Sequence, residues 1–415
     1  MSPALSRPFV PAALLLTVVV AAASCATTTQ SSLHTDPTAE PVIAEWGDAA
    51  EDGDAAAQFR VGLALDTGDG AALDPNAAAA WYRRSAEQGH PAAQNNLGLL
   101  HYEGRGVDRS LAQAARWFER AAEQGFAAAQ ANLGRMLLLG EGVERDVERA
   151  SDLLQHAAAK GDARAQSTLG AMELDGLAGP RDAERAARWI TKSAEQGYAP
   201  AQYQLALLHL NGDGVARDDA ATVRWLQGAA ESEHADAQFL LGWILHEGTH
   251  APRDDGASAR WLERAAGHAH AAAQAQLGRL YLEGAGVARD DATGARWLER
   301  AAEQGFARAQ HDLALLYLRG RGVAANAARS AEWMERAAEQ GLVEAQLRAG
   351  AMREKGRGVD RDLVLARAWY RLAELGGTED ARASVARVER EMTERDVARS
   401  EERVRATSAS QRTTR

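Results

Sequence analysis

His246-Glu247-Gly248-Thr249-His250 carries the residue types and spacing with which zinc peptidases hold a metal ion and polarise a water. That chemistry needs both histidines on one face of a continuous helix. Here Gly248 and His250 take the slots that Gly104 and Gly106 hold four repeats earlier, so a helix is expected to end between the two histidines. His246 takes a slot usually held by leucine. His268 and His270 lie near enough in sequence to add ligands. However, His270 shares its slot with His90, Phe126, Tyr198, His234 and Phe306, a packing position beside a helix end. Metal binding and a structural role both remain open for these histidines, and no metal or cofactor is assigned. Other catalytic patterns are missing from the sequence. No serine is followed three residues later by one of the three lysines (Lys160, Lys192, Lys355), and there is no Gly-x-Ser-x-Gly or Gly-Lys-Ser/Thr turn. No catalytic residue is assigned, and the chain reads as a non-enzyme.

The elements that would have to position any such chemistry are repetitive. Gln58, Gln94, Gln130, Gln166, Gln202, Gln238, Gln274, Gln310 and Gln346 recur every 36 residues without insertion or deletion, each preceded by alanine. A period of this length marks a stack of similar supersecondary units. In the third copy, Ala127 to Leu139 has helical apolar spacing, Gly140-Glu141-Gly142-Val143 forms a turn, and a second helix runs from Asp146 to about Lys160 before Gly161. The N-cap slot is filled in all nine copies by Asp74, Ser110, Asp146, Asp182, Asp218, Asp254, Asp290, Asn326 and Asp362. An array of aspartates one repeat apart is a poor calcium or catalytic site, so capping is the expected role.

Eight copies carry a tryptophan seven residues later: Trp81, Trp117, Trp189, Trp225, Trp261, Trp297, Trp333 and Trp369, with Leu153 in the third copy. They are expected to lock adjacent helices by burying apolar area, with a ligand-stacking ladder as the sharper alternative. The repeated glutamines are expected to bond neighbouring backbone.

Ala273-Gln274, Leu277-Gly278, Tyr281, Gly284, Gly286-Val287, Asp290, Trp297 and Ala301-Ala302-Glu303-Gln304-Gly305 together resemble the Sel1-like repeat (SLR). The resemblance extends from Gly53 to Gly376 in nine copies. It implies an all-α fold, an α/α solenoid of helix-turn-helix repeats in a right-handed superhelix, and adaptor or scaffold work in bacterial envelopes, secretion or signalling. Ala178-Gly179-Pro180 in the fourth copy and His250-Ala251-Pro252 in the sixth depart from the turn pattern, and Glu233 and Ala269 replace helix-ending glycines.

The flanks read differently. Arg7 is the only charge in residues 1–24, an apolar run spans Ala12 to Ala23, and Ser24-Cys25 follows. This reads as a secretory signal resembling a bacterial lipobox, although Ala22 departs from its usual leucine. The resemblance implies lipidation of Cys25 and an outer-membrane lipoprotein facing the periplasm. Residues 25–52 read as a flexible tether and lead-in cap, 377–406 as a capping helix and 407–415 as a disordered tail. With one cysteine there is no intrachain disulfide or multi-thiolate metal site. A net charge of −11 with scattered basic residues argues against nucleic-acid binding.

Within each first helix the slots of Ala57, Gln58, Val61, Gly62, Ala64 and Leu65 keep similar residues, whereas those of Ala56, Arg60, Leu63 and Thr67 vary and fall on the opposite side. On the SLR resemblance the first helices line a concave surface. The candidate partner-binding residues are Asn96, Asn132, Arg135, Gln204, Trp243, Gln276, Arg279, Asp312 and Arg348, with Trp243 and Arg279 as anchors. Drift of solvent-facing slots would give the same variation. Two functions stand: an envelope-anchored scaffold for a protein or peptide, or a binder or enzyme acting on cell-wall material, β-lactamase-like or peptidoglycan-binding.

Overall fold

The computed structural model describes residues 42–177 and 179–413. All 21 elements among the described residues are α-helices. Chain packing divides them into two compact units, one up to Asp218 and one from Asp219. The first unit holds a lead-in helix (Val42–Glu51), four helix pairs and the first helix of the fifth repeat (Ala199–Asn211). The second begins with the second helix of that repeat (Asp219–Glu231) and adds four pairs and two terminal helices, Glu379–Glu389 and Glu394–Thr413. Residues 407–413 are thus the last turns of a helix rather than a loose tail. Gln411 Nε2 donates to the carbonyl of Glu339 at 2.9 Å, holding that end against the eighth repeat.

Each 36-residue copy gives two 13-residue helices for reasons written in its own residues. Asp74 Oδ1 accepts from the backbone N–H of Asn76 and Ala77, and Asp146, Asp182, Asp254, Asp290, Asn326 and Asp362 cap their second helices likewise. First helices end on a left-handed glycine whose N–H bonds the carbonyl four residues back, as Gly104 does to Leu100. The second turn glycine has another duty. A Cβ on Gly106 would lie 2.0 Å from the Pro75 carbonyl oxygen, because the turn rests on the start of the preceding second helix. In the sixth repeat His250 occupies this slot, and its Nδ1 lies 2.9 Å from Asp219 Oδ1 at the start of the preceding second helix.

Inside a pair, a small residue faces a large one. A Cβ on Gly98 would meet Phe118 at 2.7 Å, and one on Gly242 would meet Leu262 at 2.8 Å. Tyr82, Phe118, Leu154, Ile190, Leu226 and their later counterparts are fully buried. These side chains follow the tryptophan slot by one residue, and they carry the large apolar burial. The tryptophans pack where the preceding pair meets their own first helix, as Trp297 does against the cluster around Leu262 and Leu277, but most stay half-buried. Arg84, Arg120, Lys192, Arg264, Arg300 and Arg336 lie 4.5–4.9 Å over the outer faces of Trp81, Trp117, Trp189, Trp261, Trp297 and Trp333. Trp369 is buried because Val404 of the terminal helix joins its cluster.

The glutamines bond backbone as expected and also bond each other. Every one donates from Nε2 to the carbonyl eight residues earlier, as Gln94 does to Ala86 at 3.1 Å. Gln58, Gln94, Gln166, Gln274 and Gln310 also accept from Gln88, Gln124, Gln196, Gln304 and Gln340 at 2.6–2.8 Å. Where Lys160, His268 or Gly376 replaces that second glutamine, the buried Oε1 of Gln130, Gln238 or Gln346 has no partner. The repeat beat is therefore a hydrogen-bonded ladder joining one pair to the next.

Candidate protein-binding face

The conserved-slot side of the first helix in the first repeat is buried as read, with Ala57, Gln58, Val61, Gly62, Ala64 and Leu65 forming its buried set. Arg60, Leu63 and Thr67 opposite are exposed. That clean division does not hold along the whole stripe, and Asn132 and Asp312 require a correction. Both are buried, at 3% and 5% exposure, and both face a neighbouring first helix rather than solvent. A side chain in the Arg60 slot reaches across to a neighbouring first helix, as Asn132 does to Asn95 and Asp312 to Arg279.

In the first unit this reach builds a connected network. Asn132 Nδ2 donates to Asn95 Oδ1 at 3.0 Å, Asn95 Nδ2 to Asn96 Oδ1 at 3.2 Å, Asn96 Nδ2 to the Tyr82 hydroxyl at 3.1 Å, and Tyr82 to Asp66 at 3.3 Å. Burial and the Asp66 charge together push the Tyr82 hydroxyl pKa up. Gln204 Oε1 accepts from Ser167 at 2.9 Å, and Arg135 lies 5.0 Å over the Tyr102 ring with Glu141 at 3.5 Å. Asn96, Asn132, Arg135 and Gln204 thus join neighbouring helices. Asn95 completes the asparagine network from the Phe59 slot and Ser167 makes its separate bond to Gln204 from the same slot, whose own variation from Asn95 to His311 was the available signal.

In the second unit Trp243 is half-buried, Gln276 is half-buried and Arg348 is exposed. Arg279 Nε donates to Asp312 Oδ2 at 3.0 Å, and His311 Nδ1 lies 3.1 Å from Asp312 Oδ1. Burial alone would push the Asp312 carboxyl up. The His311 contact and the positive Arg279 and Arg308 outweigh it and hold the carboxyl below its ordinary range.

The two central histidines of the literal zinc-peptidase pattern part company. The helix Ala235–Glu247 ends at Gly248 (φ +69°), leaving His246 in its last turn and His250 beyond it. His246 Nδ1 lies 2.8 Å from Asp255, and His268 Nε2 lies 3.0 Å from Glu233. His270 caps the next first helix and meets Asp236 at 3.2 Å. Among the described residues no three His, Cys, Asp or Glu side chains come together to hold a metal ion. Cys25 lies outside the described residues, and no described helix is long and apolar enough to cross a membrane.

Paired 13-residue helices in a fixed 36-residue register define a helix-pair repeat protein of the α/α solenoid class. Nine consecutive segments match the Sel1 repeat family: residues 55–90, 91–126, 127–162, 163–198, 199–234, 235–270, 271–306, 307–342 and 343–377. The chain belongs to that family. It is similar to the solved Sel1 repeat protein from Oxalobacter formigenes, at 33% identity over 74% of this chain and 92% of that one, with a TM-score of 0.53. It is also similar to c5321, a protective antigen of uropathogenic Escherichia coli with an SLR fold. The identity there is 30% over 88% of this chain and 86% of that one, with a TM-score of 0.49. The immunity protein Pa5087 from Pseudomonas aeruginosa matches at 21% identity over 51% and 81%, with a TM-score of 0.38. No curated protein matches. Sel1 repeat proteins generally mediate protein–protein interaction, and the family is generally non-enzymatic.

Proposed function

We propose that this protein is an envelope-anchored scaffold that binds a protein or peptide along the variable flank of its first helices, with Trp243 as the anchor. The observation that carries this reading is Trp243 itself. A large aromatic stands in the Leu63 slot, outside the small-against-large packing that holds each pair together, and remains half-buried. Residues of this kind, with arginine nearby, supply most of the binding free energy at protein interfaces. Gln276 stays half-buried and Arg348 exposed in the same unit, and Arg279, paired with Asp312, keeps 14% of its side chain at the surface. Lipidation of Cys25 would hold the body at a bacterial membrane, with the outer membrane facing the periplasm as the favoured destination.

Capture from envelope extract with the purified chain and its Trp243→Ala variant tests the binding reading. A defined protein partner retained by the parent and lost by the variant is expected. Equal capture by both, or sedimentation with peptidoglycan in place of a protein partner, would overturn it. Incorporation of radiolabelled palmitate that disappears in Cys25→Ser tests the anchor independently.

A further inference from the structure

The polar cluster formed by the seventh and eighth first helices (Ala271–Glu283 and Ala307–Arg319) bears more hydrogen-bonding capacity than it uses. Asp312 is the acceptor at its centre, receiving Arg279 on Oδ2 and facing His311 Nδ1 with Oδ1. Arg279 Nη2 and His311 Nε2 are buried and have no hydrogen-bond partner. His311 is 3% exposed, whereas Arg279 keeps 14% of its side chain at the surface. The cluster is therefore sealed below and reachable at its Arg279 edge.

Its surroundings carry both signs, with exposed Glu283 one turn beyond Arg279 and Glu344 beside Arg308, and the cations lie toward the eighth and ninth repeats. Arg308 lies within electrostatic reach of Asp312 and 3.6 Å from the half-exposed Glu344. Arg319, Arg348 and Lys355 stand exposed in the Thr67 and Arg60 slots of the eighth and ninth repeats. A guanidinium whose Nε is already committed offers its remaining N–H groups as an in-plane fork, which matches a carboxylate.

We infer that this cluster takes a carboxylate from an acidic segment of the protein partner, received by Arg279 with His311 beneath and guided by Arg348. The inference rests on the proposed role of the first-helix flank and names the chemistry of what lies there. A single buried fork beside one aspartate favours a carboxylate over a polyanionic surface, which would need several converging cations.

The test measures binding of fluorescein-labelled, end-blocked hexaglutamate and hexaglutamine peptides to the purified chain by anisotropy at low salt. Three proteins are compared: the parent, Arg348→Gln, and the double variant Arg279→Gln/Asp312→Asn, which removes both charges while keeping the paired shape. Circular dichroism verifies folding of each. The expected result is hexaglutamate binding without hexaglutamine binding, weakened at least tenfold in the folded double variant and severalfold in Arg348→Gln. Unchanged hexaglutamate affinity in the double variant overturns the inference. So does equal hexaglutamine affinity, or displacement by inorganic phosphate at equal charge. If the double variant fails to fold, Arg348→Gln decides, and unchanged affinity there overturns the inference. If hexaglutamate binds as expected while Trp243→Ala retains the captured partner, the anchoring role falls and the carboxylate site stands. The converse pattern removes the carboxylate site alone.

Discussion

Replacing Gln94 by alanine should cost more than the same change one repeat later at Gln130, and the ladder geometry sets the difference. Gln94 makes two hydrogen bonds, donating to Ala86 at 3.1 Å and accepting from Gln124 at 2.8 Å. Gln130 makes only the first, to Ala122 at 3.3 Å, and its buried Oε1 has no partner. Each such bond contributes about 1 kcal/mol net, so Gln94→Ala should cost about 2–3 kcal/mol and Gln130→Ala about 1 kcal/mol less. The reciprocal change is Lys160→Gln, which places an amide where Gln124 stands one repeat earlier. It should add about 0.5–1.5 kcal/mol, reduced by whatever the exposed contact of Lys160 Nζ to the Gly125 carbonyl supplies. Urea unfolding followed by circular dichroism at 222 nm would give these differences, provided the slopes agree between variants. Because each repeat touches only its neighbours, the effect should fall on the first repeats to open. Equal losses for Gln94→Ala and Gln130→Ala, or no gain from Lys160→Gln, would refute the ladder as the source of coupling between pairs.

Gly242→Ala should cost about 1–3 kcal/mol through overpacking, since its Cβ would meet Leu262 at 2.8 Å; thermal unfolding would register it. Ala269→Gly should stabilise by roughly 1 kcal/mol, because Ala269 sits at φ +59° where other repeats use glycine. Contacts with His268, Arg264 and Gln238 lower the Glu233 carboxyl from its ordinary 4.5 to about 2. A depressed folded-state value means this stabilisation is present above pH 4.5 and lost as pH falls toward 2. Glu233→Gln should therefore lower stability at pH 5 by at most about 1 kcal/mol, as exposed pairs do, and converge with the parent in an acid titration near pH 2.

Much of this architecture could be read directly from residue order. Period, helix length, caps and turns are properties of a chain segment with itself: Asp74 bonds amides two and three residues on, and Gly104 the carbonyl four residues back. Nine equal segments then leave little freedom in how they follow one another. The same register showed that a helix ends between His246 and His250, and Gly248 ends it there.

The candidate face was legible only in part. Spacing placed Asn132 and Asp312 opposite the core of their own helix, and in that helix's frame they are. Burial depends on a second helix, one repeat away, whose distance is set by side chains on the shared side. That neighbour turned Asn132 into a bridge to Asn95 and Asp312 into the partner of Arg279, while Arg348 stayed exposed. Packing of the two helices within a pair gave the deep burial to Phe118 and Leu262, against Gly98 and Gly242, and left Trp117 and Trp261 half-covered beneath arginines. Helical periodicity gives the direction in which a side chain points, but its surroundings come from packing between segments, a quantity no single helix contains.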